Sequence, residues 1–269
     1  MPPSAVDTAA AQAYEDHLVG ALFGPWAQRV VDLGAPQRGE TVLDVACGTG
    51  IGARLAGPRV APGGRVVSAD SDAGMVTVAE RMAAAAGLPA DVTFEWHAAP
   101  AEAPVVADGS VDLCLCMQGP QFVADPPAAM AMIRRALKPG GRLAASMWSV
   151  IADNKGHYAL AQALEARGLA PAAKPFSLGD PETARALVAD AGLDILSFET
   201  ADHLAAFASV RAFVNGVAAG APATRFALAQ LSDADREAFV ADVERLLAPH
   251  QQADGIALPT RAHLVLARR

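Results

Sequence analysis

Short apolar runs alternate with Ala-rich amphipathic stretches through the first 150 residues, and that alternation restricts the chain to few folds. TVLDVA (41–46), GRVVSAD (64–70), DVTFEWH (91–97), VDLCLCM (111–117) and RLAASMW (142–148) read as strands. GIGARLAGPRV, SDAGMVTVAERMAAAAG and PPAAMAMIRRALKPG, which separate them, read as helices. Strands and helices of these lengths predict βαβ units, hence a doubly wound parallel sheet with right-handed crossovers. Near-continuous apolar strands fit a sheet covered on both faces. DILSFET (194–200) and LPTRAHLVLAR (258–268) read as two more strands. The expectation is an α/β fold, Rossmann-like, with seven strands and the last one antiparallel.

One large domain of residues 1–269 accommodates all of this, with 40–150 as its ligand-binding core. Three segments have no place in a minimal sheet of this kind. They are the N-terminal stretch 1–38, residues 149–190 with Pro171, Pro175 and Pro181, and helical stretches within 205–248. Each is expected to be a helical cap over the ligand crevice.

The first strand ends in VLDVACGTG (42–50), where Gly48 and Gly50 bracket a Thr. A glycine turn at the mouth of a buried strand lets a ligand approach the backbone closely. In open α/β sheets ligands bind outside the carboxyl ends of the strands. Asp70 ends the second strand about 20 residues past the glycines, the position from which a carboxylate takes both hydroxyls of a ribose. An adenosine-type ligand follows, either a dinucleotide or S-adenosylmethionine. Gly48-Thr49-Gly50-Ile51-Gly52-Ala53 can be laid on the dinucleotide pattern, but Asp44 just before the turn opposes a pyrophosphate, which wants backbone N–H groups and a helix N-terminus. It suits a ligand with an ammonium and a sulfonium.

Composition removes other classes. The formal net charge of −8 argues against a surface for nucleic acid. No apolar run is long enough to span a membrane, and the start shows no basic-then-apolar leader, so the expected location is the cytoplasm. Cys114 and Cys116 fall on one face of a strand, as buried thiols that pack rather than bind metal; no metal is expected.

Asp44 to Gly50 resembles motif I of class I S-adenosylmethionine-dependent methyltransferases. VVSADSDAGMVTVAE, ADGSVDLCLCMQGPQFVADPPAAM and RRALKPGGRLAASMWS agree with that family in order and spacing. Together these four blocks resemble the ubiquinone/menaquinone-biosynthesis type of small-molecule methyltransferase over residues 40–150, with looser likeness beyond. The resemblance implies S-adenosylmethionine as cofactor, S-adenosylhomocysteine as product and a small apolar or aromatic methyl acceptor, methylated on C, O or N. It implies that Asp44 serves the methionine ammonium, that Gly48 and Gly50 lie against the cofactor, and that Asp70 takes the ribose. Ser71 and Met75 would flank the adenine, and Gln118 would face the methionine and the acceptor. Tyr14, Ala46, Cys47, Ala99 and Ala101 complete the implied cofactor set. His17, Trp26, Phe122, Trp148 and His157 are the candidates for the acceptor side, and no catalytic base is assigned.

Two departures stand out. WHAAPAEAP replaces the family's GDAxxLP, leaving Ala98, Ala99 and Pro100 where an Asp would meet the adenine, with Glu102 as the nearby substitute. Ala46 stands where Gly is usual. A protein that binds the cofactor without transferring its methyl group is the alternative reading; a NAD-dependent oxidoreductase is a distant third. The oligomeric state, homodimer included, is open.

Overall fold

The computed structural model describes residues 6–171 and 173–269. Residues 1–5 of the N-terminal segment and residue 172 of the 149–190 segment lie outside the described residues.

A central sheet carries the parallel strands β1 (Thr41–Val45), β2 (Arg65–Asp70), β3 (Thr93–Ala98), β4 (Val111–Met117) and β5 (Leu137–Trp148). β6 (Asp194–Phe207), a two-residue β7 (Gln251–Gln252) and β8 (Gly255–Arg268) complete it. The order across the sheet is β3-β2-β1-β4-β5-β8-β6, with β7 pairing β8 in a hairpin. β8 runs antiparallel to both β5 and β6. The Rossmann-like expectation holds, including the antiparallel last strand, with β7 as an addition too short to carry a hydrophobic pattern.

Between strands lie α3 (Ile51–Val60), α4 (Ala73–Ala85) and α5 (Pro126–Ala136). Their starts are written locally. Asp72 accepts the Gly74 N–H at 2.7 Å, and Asp125, followed by Pro126, accepts that of Ala128 at 3.0 Å. Such caps typically contribute about 1 kcal/mol each. Strand alternation divides the core. Val42, Val66, Leu113 and Leu115 face one layer, and Leu43, Val67, Cys114 and Cys116 the other. The two cysteines are free thiols packed beside Met130 and Ile133 of α5.

Three stretches differ from the sequence reading. β5 begins at Leu137, because the KPGG turn stays in the sheet through a register shift opposite β4. β6 continues to Phe207, pairing with β8 as far as Ile256, so the 205–248 segment turns helical only at α8 (Val210–Gly220). It continues in α9 (Pro222–Leu228) and α10 (Asp233–Leu247). The 149–190 segment divides in two. α6 (Lys155–Glu165) joins α8 and α10 on the first layer, whereas α7 (Pro181–Ala189) packs with α5 and β6 on the opposite layer through Ala184 and Val188. Residues 181–189 are therefore a layer helix of the sheet, not cap.

The N-terminal run consists of α1 (Ala9–Tyr14), a π-helical stretch (Glu15–Phe23) and α2 (Gly24–Gly34) without a break. Its widened winding has a local cause. Pro25 lacks an N–H and its ring excludes ordinary α geometry four residues back, and the Gly24 N–H reaches the Val19 carbonyl, an i→i+5 bond. A Cβ at Gly24 would lie 2.8 Å from that oxygen, so glycine is required there. π-helical turns of this kind recur at functional sites.

Phe213 of α8 anchors the helices of the second half: it is 1% exposed and packs edge-to-face on Phe207 at 5.1 Å and on His157 at 5.8 Å. Phe213→Ala is expected to lower unfolding stability by about 3–5 kcal/mol, read as a lower urea midpoint at unchanged slope.

Candidate active site

The turn after β1 is built on left-handed backbone. Ala46, Gly48 and Gly50 have φ of +55°, +54° and +79°. Glycine adopts this region freely, but a methyl at Ala46 costs roughly 1–2 kcal/mol. The Asp70 carboxylate at the tip of β2 offsets that strain. Its Oδ2 accepts the Gly48 N–H at 2.9 Å and its Oδ1 accepts the Asp72 N–H at 2.9 Å. Burial raises the Asp70 carboxyl above its ordinary value, while these two N–H groups pull it back. Beside it, the Ala99 N–H donates to the Asp70 carbonyl at 2.9 Å, so Ala99 lies at the same strand mouth.

The π-helical run lies across this turn. Tyr14 rests on Gly48, where an added Cβ would be 3.8 Å from the ring. Tyr14 stacks toward Phe23 at 4.9 Å; Phe23 meets Trp148 at 6.1 Å, and Trp148 meets Trp26 edge-on at 5.9 Å. The Trp26 Nε1–H donates to Thr260 Oγ1 at 3.2 Å, fixing the ring against β8. A polar clasp fastens the run from its other side. Glu15 accepts from Arg54 at 2.7 Å and from the Thr49 hydroxyl, and Arg54 also donates to the Thr49 carbonyl at 2.7 Å.

Together Tyr14, Phe23, Trp26, Ala27, Ala46, Cys47, Gly48, Ile51, Met117 and Gln118 enclose a cavity of about 30 Å³. That is the room of one water molecule, against the roughly 300 Å³ or more of a small-molecule site. The site is a narrow one. Its walls are apolar, and two of its polar groups are held in their neutral form. Burial, Asp70 and Glu15 push the Tyr14 phenol up, and burial with Asp44 and Asp70 pushes the Cys47 thiol up.

Asp44 lies beneath the turn rather than in the cavity wall. It is fully buried against Gly52 and Met117, since a Cβ at Gly52 would sit 2.6 Å from its Oδ2 and 2.3 Å from the Met117 methyl. Neither oxygen completes a hydrogen bond. Burial raises its carboxyl to about 7, the approach of the Ala53 N–H opposes that, and Asp70 adds to it. Gln118 is buried in the wall with φ +52° and its Nε2 unpartnered. Its own N–H donates to the Ser146 carbonyl at 3.0 Å.

Of the residues read from sequence, Tyr14, Ala46, Cys47, Gly48, Trp26 and Gln118 meet at the cavity, with Gly50 and Asp70 supporting its floor. Trp148 stands behind Trp26. Ser71 is exposed and Met75 half-buried on α4, and Ala101 is buried beyond the strand tip. Three acceptor candidates fall elsewhere. His17 is exposed, because the i→i+5 winding turns it toward Gly216 of α8. Phe122 is 46% exposed. His157 is wedged between Phe176 and Phe213, and burial lowers it to about 4. Glu102 accepts the Asp125 N–H at 2.8 Å. The reading missed Glu15, Arg54, Ile51 and Met117. Residue 51 directly follows the glycine turn and was findable; the Glu15–Arg54 pair, 39 residues apart, carries no local signal.

Among the described residues no helix is long and apolar enough to cross a membrane. The strand order and the glycine turn joined to an acidic strand tip define the Rossmann-like fold of S-adenosylmethionine-dependent methyltransferases. Residues 43–145 match the family model of a methyltransferase domain, and this segment is such a domain. A nocamycin O-methyltransferase of Saccharothrix syringae is 36% identical over 122 residues, 45% of this chain and 42% of that protein. A ubiquinone/menaquinone biosynthesis C-methyltransferase of Paracoccus denitrificans is 39% identical over 128 residues, 48% of this chain and 50% of that protein. The chain thus spans about half the length of these curated relatives. A solved S-adenosylmethionine-dependent methyltransferase of Aquifex aeolicus shares the fold, with a TM-score of 0.54 at 20% identity, covering 70% of this chain and 90% of that one.

The Asp44 environment has a consequence for stability. With a native value near 7 against 3.8 in the unfolded chain, the native state holds the extra proton between those limits. Stability contributed this way falls as pH rises from about 4 to 7, by roughly 4 kcal/mol at most. Asp44→Asn is expected to flatten that decline in urea unfolding, with its advantage over the parent growing toward pH 7.

Proposed function

We propose that this protein transfers the methyl group of S-adenosylmethionine to a small apolar or aromatic metabolite. The observation that carries the proposal is the Tyr14–Phe23–Trp26 aromatic wall laid directly on the Gly48 turn that Asp70 supports. The residues fit the cofactor. Gly48 leaves room above the turn, with Tyr14 the nearest side chain. Asp70 would take the ribose hydroxyls, with Ser71, Met75, Ala99 and Ala101 bordering the adenine. Tyr14, Ala46, Cys47, Gly50 and Gln118 would border the methionine. Asp44 would act through the turn it supports, because it does not line the cavity.

When bound, the cofactor supplies an electrophilic methyl on sulfur. The chain's own residues then orient the acceptor in line and keep water out. Tyr14 and Cys47, both held protonated, do not accept a proton from the acceptor. The three buried unpaired thiols suit a reducing compartment, and we place the reaction in the cytoplasm.

Calorimetry tests the cofactor reading. S-adenosylhomocysteine is expected to bind and NAD not to, and the reverse result would refute the assignment. Asp70→Ala should raise the S-adenosylhomocysteine dissociation constant at least about tenfold, since each charge-assisted bond is worth about 1.5–3 kcal/mol.

The cavity of about 30 Å³ is smaller than a nucleoside, which supports a run that opens for entry and closes again. We propose that this run, with α6 and α8 behind it, is the cap. Hydrogen exchange is expected to show residues 9–34 less protected in the free protein than with S-adenosylhomocysteine and acceptor bound. Equal protection in both states would count against a moving cap.

A further inference from the structure

Next to Gln118, in the turn between β4 and α5, a second buried amide faces it. Gln121 is 2% exposed, and its Nε2 donates to Gln118 Oε1 at 3.0 Å. This leaves Gln118 Nε2 and Gln121 Oε1 without partners, both shielded from solvent. Reversing both amides exchanges the two free atoms but still leaves one donor and one acceptor side by side. Buried polar groups are normally satisfied, because an unpartnered one carries its full desolvation penalty. Two orphans on one bonded pair, one member of which lines the cavity, point to a ligand.

We propose that the paired amides of Gln118 and Gln121 recognise the methyl acceptor through a neutral donor–acceptor edge, an N–H or O–H beside a carbonyl on a flat apolar ring. The chemistry of the wall selects this class. The residues around the cavity are aromatic, aliphatic or small, and none of those that line it is Lys or Arg. A phosphate or carboxylate acceptor would be buried there without a counter-charge, at a cost of several kcal/mol. A hydrocarbon would leave both amides unsatisfied. A lactam edge matches one donor to Gln121 and one acceptor to Gln118, with its ring against Phe23 and Trp26. The proposal rests on the methyltransferase reading above, and it adds Gln121 as a residue that sets specificity.

The test uses the full chain saturated with S-adenosylhomocysteine and two isosteric probes, 2-quinolinone and coumarin, in which a ring oxygen replaces the N–H. On the parent protein 2-quinolinone is expected to bind about tenfold more tightly. Gln121→Leu is expected to reduce that preference to within twofold while leaving S-adenosylhomocysteine affinity in place. Gln121→Met gives the same readout should the leucine variant fail to fold. If S-adenosylhomocysteine does not bind the parent protein, the methyltransferase reading falls and this inference with it. If it binds, yet neither probe does, or the parent shows no preference, or the preference survives in the variants, the amide edge alone is overturned. A tenfold loss of S-adenosylhomocysteine affinity in Gln121→Leu would also overturn it, by assigning the pair to the cofactor.

Discussion

The bond from the Gly48 N–H to the Asp70 carboxylate joins the ends of β1 and β2, and the site depends on it. Three residues of the turn occupy left-handed backbone, one of them an alanine. Such a turn persists only where its surroundings over-determine it. Asp70 supplies one such constraint, and the packing of Gly52 on Asp44 and Met117 supplies another from below. The same carboxylate that shapes the turn would also serve the proposed ribose, so the stability of the loop and its binding would rest on one group.

From that loop the aromatic wall follows by contact. Tyr14 rests on Gly48, Phe23 on Tyr14, Trp148 on Phe23 and Trp26 on Trp148. None of these rings reaches its neighbour unless the N-terminal run crosses the strand mouths, and that crossing is set by Pro25 and Gly24 widening the helix. A uniform α-helix would carry Tyr14 and His17 on one face, three residues apart. The observed winding keeps Tyr14 over the glycines and sends His17 outward.

Strands β1 to β4 were legible to within two residues because each is an apolar run closed by Gly, Asp or a polar turn. The Asp70 position was legible because it is a fixed distance from a glycine turn. What sequence did not reveal is of another kind. α7 carries a hydrophobic stripe that does not by itself say which layer it joins; that side shows only in its packing against α5 and β6. β6 runs seven residues past its apolar start because β8 offers a paired edge. Glu15 and Arg54 are ordinary helix residues until two elements 39 positions apart are brought together. His157 looked available because a histidine near a crevice is chemically attractive, yet its ring is used as packing, with a value near 4 that follows from burial.

The clasp of Glu15, Arg54 and Thr49 ties the N-terminal run to the sheet. Arg54 stands on α3 and Thr49 in the glycine turn, both fixed by the sheet, whereas Glu15 belongs to the N-terminal run. Both side chains of the ion pair are about nine-tenths buried, 11% and 9% exposed, so separating them exposes two charges that water then solvates. Opening therefore exchanges a desolvated pair for two hydrated ions, a difference smaller than the direct attraction alone. Apolar contacts of Tyr14, Phe23 and Trp26 resist opening more strongly, because they recover nothing from water. A run held by rings and only indexed by ions can release and return to one register. That property would suit the cap role proposed for the run.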